Sequence, residues 1–198
     1  MTNTDICNMA LSHIAKARIV SLEDKNESAR QCKIHYEHLR KMLLRDFPWG
    51  FAKKVARLAK LNIDTPKWKH TYAYPEKCVS VRSVFDENTI GLKLNQREEY
   101  EIILATDNIK GICCNVDAAC IEYTYDVTEV EVFSSEFIEA LSRHLASNMA
   151  MILTGNANIQ QAQYQLYQLA IQKAKFNMAQ EREEDPIFPT KYANARFS

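Results

Sequence analysis

The chain has 198 residues, 46% hydrophobic and 25% charged, with 25 Lys+Arg against 25 Asp+Glu. That is enough for one substantial domain, or for a domain with an appendage, in an ordinary globular balance. A formal net charge of +0 speaks against affinity built on clustered positive charge, and four glycines leave little for a glycine-rich phosphate cradle. No apolar run approaches a membrane span, and MTNTDICNMA lacks a basic-then-apolar leader pattern, so a protein made and kept in a cytoplasm is expected. Cys7, Cys32, Cys78, Cys113, Cys114 and Cys120 form no Cys-x-x-Cys pair. They read as buried, reduced thiols behaving as small hydrophobes.

Thr2, Asn3 and Thr4 offer N-capping side chains, and Asp5 falls in the first turn. Ile6, Met9, Ala10, His13, Ile14 and Ala17 then form a helical stripe, predicting a first helix that ends near Arg18. Ser21 to Asp24 read as a loop. From Glu27, a long helix carries Ala29, Cys32, Tyr36, Leu39, Leu43 and Phe47 on one face. Arg30, Lys33, Glu37, Arg40, Lys41 and Arg45 fill the other. The short connection predicts an antiparallel pairing of the two helices. Pro48 cuts the pattern, and Phe47, Pro48, Trp49 and Phe51 form an aromatic corner that must bury itself. Residues 52–61 set Lys53, Lys54, Arg57 and Lys60 against Ala52, Val55, Leu58 and Leu61, which fits a short helix or a strand.

The middle is different in kind. Residues 68–74, Val79 to Val84, Tyr100 to Leu104, Ile109 to Val116 and Cys120 to Val127 are short β-branched or aromatic runs parted by turn-like residues. They predict a small antiparallel sheet. Ser134-Ser135-Glu136 restarts helix, with Phe137, Leu141, Leu145, Met149 and Ile152 in line until Gly155. From Asn158 a last helix runs to about Glu184, its thin apolar line made of Ala162, Leu166, Leu169 and Ala170, then Lys173-Ala174 and Asn177-Met178. Six glutamines make the rest polar without charge, as suits a helix between neighbouring molecules or a solvated edge. The expected fold is therefore α+β: an antiparallel bundle of about four helices (residues 1–61 and 134–184) with an inserted β domain (66–130). Residues 185–198 hold two prolines with Ile187, Phe188, Tyr192 and Phe197, and read as an extended arm docking on this chain or a partner.

The titratable candidates carry no chemistry by spacing. His35 and His38 lie about 60° apart on the long helix with Glu37 between them, but no second acidic helix completes a ligand set. His13, His70 and His144 stand singly. No catalytic, metal-binding or cofactor-binding residue is expected. The six Lys and Arg from Arg40 to Arg57, interleaved with Phe47, Trp49 and Phe51, support an alternative, a cytoplasmic nucleic-acid-binding protein.

Asn8-Met9-Ala10-Leu11-x-x-Ile14, Ile19-x-Ser21-Leu22, Ala29-x-x-Cys32-x-x-x-Tyr36-x-x-x-Arg40-x-x-x-Leu44 and Pro48-Trp49-x-Phe51-Ala52 together resemble the tail tubular protein A family. These are head–tail adaptors of short-tailed bacteriophages and prophages. The resemblance continues through Leu58-Ala59, Tyr72-x-Tyr74-Pro75-x-x-Cys78, Ile121-x-Tyr123 and Phe133-x-x-x-Phe137-x-x-Ala140-Leu141-x-x-x-Leu145-Ala146. Its most specific part is the Pro-Trp-x-Phe-Ala corner with Tyr-x-Tyr-Pro after it. Ala15 departs from the pattern, where the family has Gly. The resemblance implies a virion structural protein without catalysis or cofactor, forming a ring of usually twelve subunits beneath the portal protein. Such a ring extends the DNA channel, lets genomic DNA pass without specific binding, and holds the tail tube or nozzle. It involves no membrane, and it is assembled in the host cytoplasm. Helices would pack side by side around the ring, the sheet would face the tail, and the arm would reach the portal or a neighbour.

Overall fold

The computed structural model describes residues 1–89, 97–106 and 108–181. Among these residues four α-helices, α1 (Asn3–His13), α2 (Glu27–Asp46), α3 (Ser135–Thr154) and α4 (Ala157–Glu181), enclose one core, and seven strands form two antiparallel sheets between α2 and α3. The architecture is the α+β arrangement expected, with two sheets where one was predicted.

α1 starts on a capping box, in which Thr2 Oγ1 accepts from the Asp5 amide while Asp5 accepts from Thr2. It ends at His13, earlier than predicted. Lys16 N–H reaches Leu11 O at 2.9 Å and Ala15 N–H reaches Ser12 O at 3.1 Å, with Ala15 at φ 55°. That is the left-handed stop usually given to glycine. The loop beyond is held by Asn8, whose side chain donates to Ile19 O (3.0 Å) and accepts from Ile19 N–H (2.8 Å). α1 and α2 run antiparallel, since Asn3 meets Tyr36 (2.9 Å) and Cys7 faces Cys32.

α3 is the central helix. Phe137, Leu141, Leu145 and Met149 are wholly buried, while Ile152, placed by sequence in the same stripe, is exposed. Its neighbours lie on three sides: His13 of α1 on Ser142, Cys32 of α2 on Met149, and Gln163 of α4 on Arg143. α4 packs antiparallel to it, as Asn177 bonds Glu136 and Tyr167 stacks on His144.

Residues 53–57 and 60–61 are strands. β1 (Lys53–Arg57) pairs with β7 (Ala119–Tyr125), which also pairs with β4 (Cys78–Asp86). β2 (Lys60–Leu61), β3 (His70–Ala73), β6 (Ile109–Cys114) and β5 (Tyr100–Thr106) form the second sheet in that order. The β unit therefore begins at residue 53, not 66, and its first and last strands are neighbours. Tyr72, Val84, Ile112 and Ile121 fill a second small core, with the Tyr72 hydroxyl donating to Val116 O at 2.6 Å.

Candidate interaction surface

The aromatic corner faces inward. Pro48 follows an extended Phe47 (φ −139°, ψ 136°), which stops α2 and turns Trp49 into the core. Phe47 meets Trp49 edge-on at 4.7 Å, and Trp49 and Phe51 each meet Phe137 at 5.1 Å. The Trp49 indole donates to Leu43 O at 2.9 Å, and Arg82 donates to Trp49 O at 2.7 Å. Trp49 and Phe47 are buried, so neither presents a ring to a stacked base. Pro48 alone of the four is exposed.

The basic run is not one surface. Arg40 is 1% exposed, and its Nη1 lies 2.7 Å from Asp126 Oδ1 and donates to Val127 O, while Nη2 donates to Glu37 at 2.8 Å. Burial alone would lower the pKa of this guanidinium, but Glu37 and Asp126 outweigh it and hold the charge on. Arg40 is thus a peg between α2 and the segment leaving β7. Lys53 pairs with Glu122 at 2.8 Å, Arg57 pairs with Glu87, and Lys54 sits 3.7 Å above the Tyr125 ring. Each of these three cations already has a partner, which argues against a free basic face for nucleic acid.

The open surface lies on α4. Its packed side is Ile159, Gln163, Tyr167, Ala170, Ile171, Ala174 and Met178, which shares Ala170, Ala174 and Met178 with the predicted line. Ala162, Leu166 and Leu169, expected to pack, are exposed beside it, and Phe176 continues the row. Leu169 is 58% and Phe176 63% exposed. Where this row meets α3 there is a groove of about 560 Å³, lined by Leu166, Leu169 and Ala170 together with Glu136, Glu139, Arg143 and Lys173. In its lining, Glu136 is held below the usual carboxylate range, first by its own backbone amide near the α3 N-terminus and then by Asn177. Residues 157–172 contain no Asp, Glu, Lys, Arg or His.

A second exposed apolar patch lies on the β5–β6 hairpin, where Ile102, Leu104 and Ile109 face outward. The sequence reading missed it because both strands look like ordinary half-buried strands. Phe176 and Tyr164 were also missed, although their spacing from Leu169 was visible. The histidines do not converge: His35 is half-buried, His38 is exposed, and no group of three possible metal ligands occurs among the described residues. Burial lowers the pKa of His13, His35 and His144. Ile187, Phe188, Tyr192 and Phe197 of the predicted arm lie outside the described residues. No helix among the described residues is long and apolar enough to cross a membrane. Comparison with protein-family models and with curated proteins finds no match.

Proposed function

We propose that the chain is a structural subunit of a phage head–tail junction, a head–tail adaptor that forms a ring between portal protein and tail tube. The observation that carries this reading is the pair of separate exposed apolar surfaces, one along α4 and one on the β5–β6 hairpin. A freely dissolved monomer gains nothing from two such patches, whereas a subunit held between neighbours and a further component buries both. The bundle with its sheet insert matches the division of labour that the resemblance implies, with helices for lateral packing and the sheet for the tail. The inward aromatic corner and the paired basic side chains favour this reading over nucleic-acid binding. Many modest, repeated contacts would add up to a junction that is stable only when complete.

The test is electron microscopy of this protein mixed with the portal protein encoded in the same genome. A second ring of density stacked on the portal is expected. A bare portal, with this protein folded in the same mixture, overturns the proposal.

A further inference from the structure

Between α2 and the start of β4 lies a cleft of about 430 Å³ that shares no residue with either apolar surface of the proposed junction. One wall is α2, where His38, Lys41, Met42 and Arg45 are spaced i, i+3, i+4 and i+7 and so share a face. The other is the turn into β4, from Lys77 to Val79, with Asp126 beside it. Lys41, Arg45 and Lys77 bring positive charge, and Asp126 is the one carboxylate in the lining. Arg40 already holds that carboxylate at 2.7 Å, and Lys41 reaches it at 3.4 Å. Arg45 and Lys77 form no ion pair among the described residues. The carboxylates close by in sequence are turned elsewhere. Glu37 accepts from Arg40, and Glu129, which feels the Lys77 charge, accepts from Thr128. Neither they nor Asp46 and Glu76 line the cleft.

Lys77 holds a strained backbone there. Cys78 N–H donates to Pro75 O at 3.2 Å, so residues 75–78 form a tight turn, and Lys77 stands third in it with φ 53°. That place in a turn is ordinarily filled by glycine or asparagine. Lys77 O accepts from Asp126 N–H at 2.7 Å, which ties the turn to the end of β7. A lysine kept where glycine would close the turn more easily points to a use for its ammonium.

We propose that this cleft binds the phosphate group of a small phosphomonoester, with Arg45 reaching it from α2 and Lys77 from the turn. Such a group carries about −1.5 to −2 charge at pH 7 and three acceptor oxygens, which suits two unpaired cations approaching from two elements. A carboxylate, with a single charge, would leave one of them unmatched. Met42 and Val79 offer an apolar wall to the organic part. The volume falls in the range of small-molecule sites, about 300–1,000 Å³. A nucleic-acid backbone is the poorer match, because it presents a row of phosphates and gains affinity from neutralising several at once. The cations that would continue such a row along β1 are engaged: Lys53 by Glu122, Arg57 by Glu87 and Lys54 by the Tyr125 ring. The site does not depend on the phage reading.

The measurement is isothermal titration calorimetry of the full chain with phenyl phosphate at fixed ionic strength, beside inorganic phosphate, benzenesulfonate and oligothymidylate. Saturable one-to-one binding of phenyl phosphate is expected. Inorganic phosphate, which lacks the apolar contact, and benzenesulfonate, which has the ring but one charge, should both bind more weakly. Arg45→Gln and Lys77→Gly should each weaken phenyl phosphate by about tenfold or more. Lys33→Gln removes the same charge elsewhere on α2 and should leave binding as it was. Lys77→Gly also relieves the positive φ, so its thermal midpoint should hold or rise while its binding is lost. No saturable binding of phenyl phosphate overturns the proposal, as does binding that Arg45→Gln and Lys77→Gly leave intact. Inorganic phosphate bound as tightly as phenyl phosphate would assign the cleft to the free ion. Oligothymidylate bound more tightly, and lost in the same two variants, would assign it to nucleic acid. Either result overturns the ester.

Discussion

Replacing Arg40 with Met removes the peg between α2 and the β unit while keeping most of its volume. The structure sets the cost. The contact to Glu37 is worth little, because that carboxylate is 58% exposed and water competes for it. The contacts that matter are to Asp126, whose side chain is 16% exposed, and to Val127 O. Without the guanidinium a half-enclosed carboxylate keeps only Lys41, at 3.4 Å, and a buried carbonyl loses its donor. Breaking such a pair from one side costs about 3–5 kcal/mol, and the remaining lysine should bring this to about 3 kcal/mol. For a chain of this length the thermal midpoint would fall by about 6–12 °C. Urea unfolding at pH 7, followed by tryptophan fluorescence and circular dichroism together, measures it. Adding Asp126→Leu to Arg40→Met removes the stranded charge, so the double variant should be more stable than Arg40→Met alone. A loss below about 1 kcal/mol for Arg40→Met, or a double variant worse than the single, would refute the reasoning.

Ala15→Gly should raise stability by about 0.5–1 kcal/mol, because φ 55° is strained for alanine and free for glycine; a lower urea midpoint would contradict this. Asn8→Ala should cost about 2 kcal/mol, since it strips both hydrogen bonds from the buried Ile19 backbone, and Asn8→Asp should be no better because it turns an acceptor towards Ile19 O. Burial lowers the pKa of His13, His35 and His144 in the fold, so the unfolded chain binds more protons below its ordinary value near 6.5. Their stabilisation is present above that pH and lost as pH falls below it. Urea midpoints should therefore drop between pH 7 and pH 5.5, and His144→Gln should flatten that slope; an unchanged slope would remove His144 as a contributor.

α2 and α3 were legible because each has one apolar stripe, and a single 3.6-residue period leaves no choice of face. α4 was not, because two adjoining stripes share its surface. Sequence shows both Leu166 and Ile171 as apolar, while only the contact with His144, Arg143 and Glu136 of α3 decides which side turns inward. Arg40 fitted the charged face of α2, and its burial depends on Asp126 and Val127, more than eighty residues away. Residues 53–57 alternate in a way that suits helix or strand, and pairing with β7 settles it. The end of α1 was overshot because the left-handed stop is made by Ala15, which carries no such signal. The exposed row that supports the proposed interface was visible as spacing, but not as exposure.

The pairing of Lys53 with Thr124 also bears on how the chain finds its fold. Between the end of α2 and the start of α3 lie 88 residues, a long loop to close before Cys32 can meet Met149. Once β1 and β7 have zipped, six residues on one side and ten on the other remain to be ordered. Loop-closure entropy scales with the logarithm of length, so the zipper lowers that cost by about 1.5 kcal/mol, roughly a tenfold gain in the effective concentration of α2 near α3. The neck of the insert thereby couples the two closures: strand pairing and helix docking each shorten the loop that the other must close.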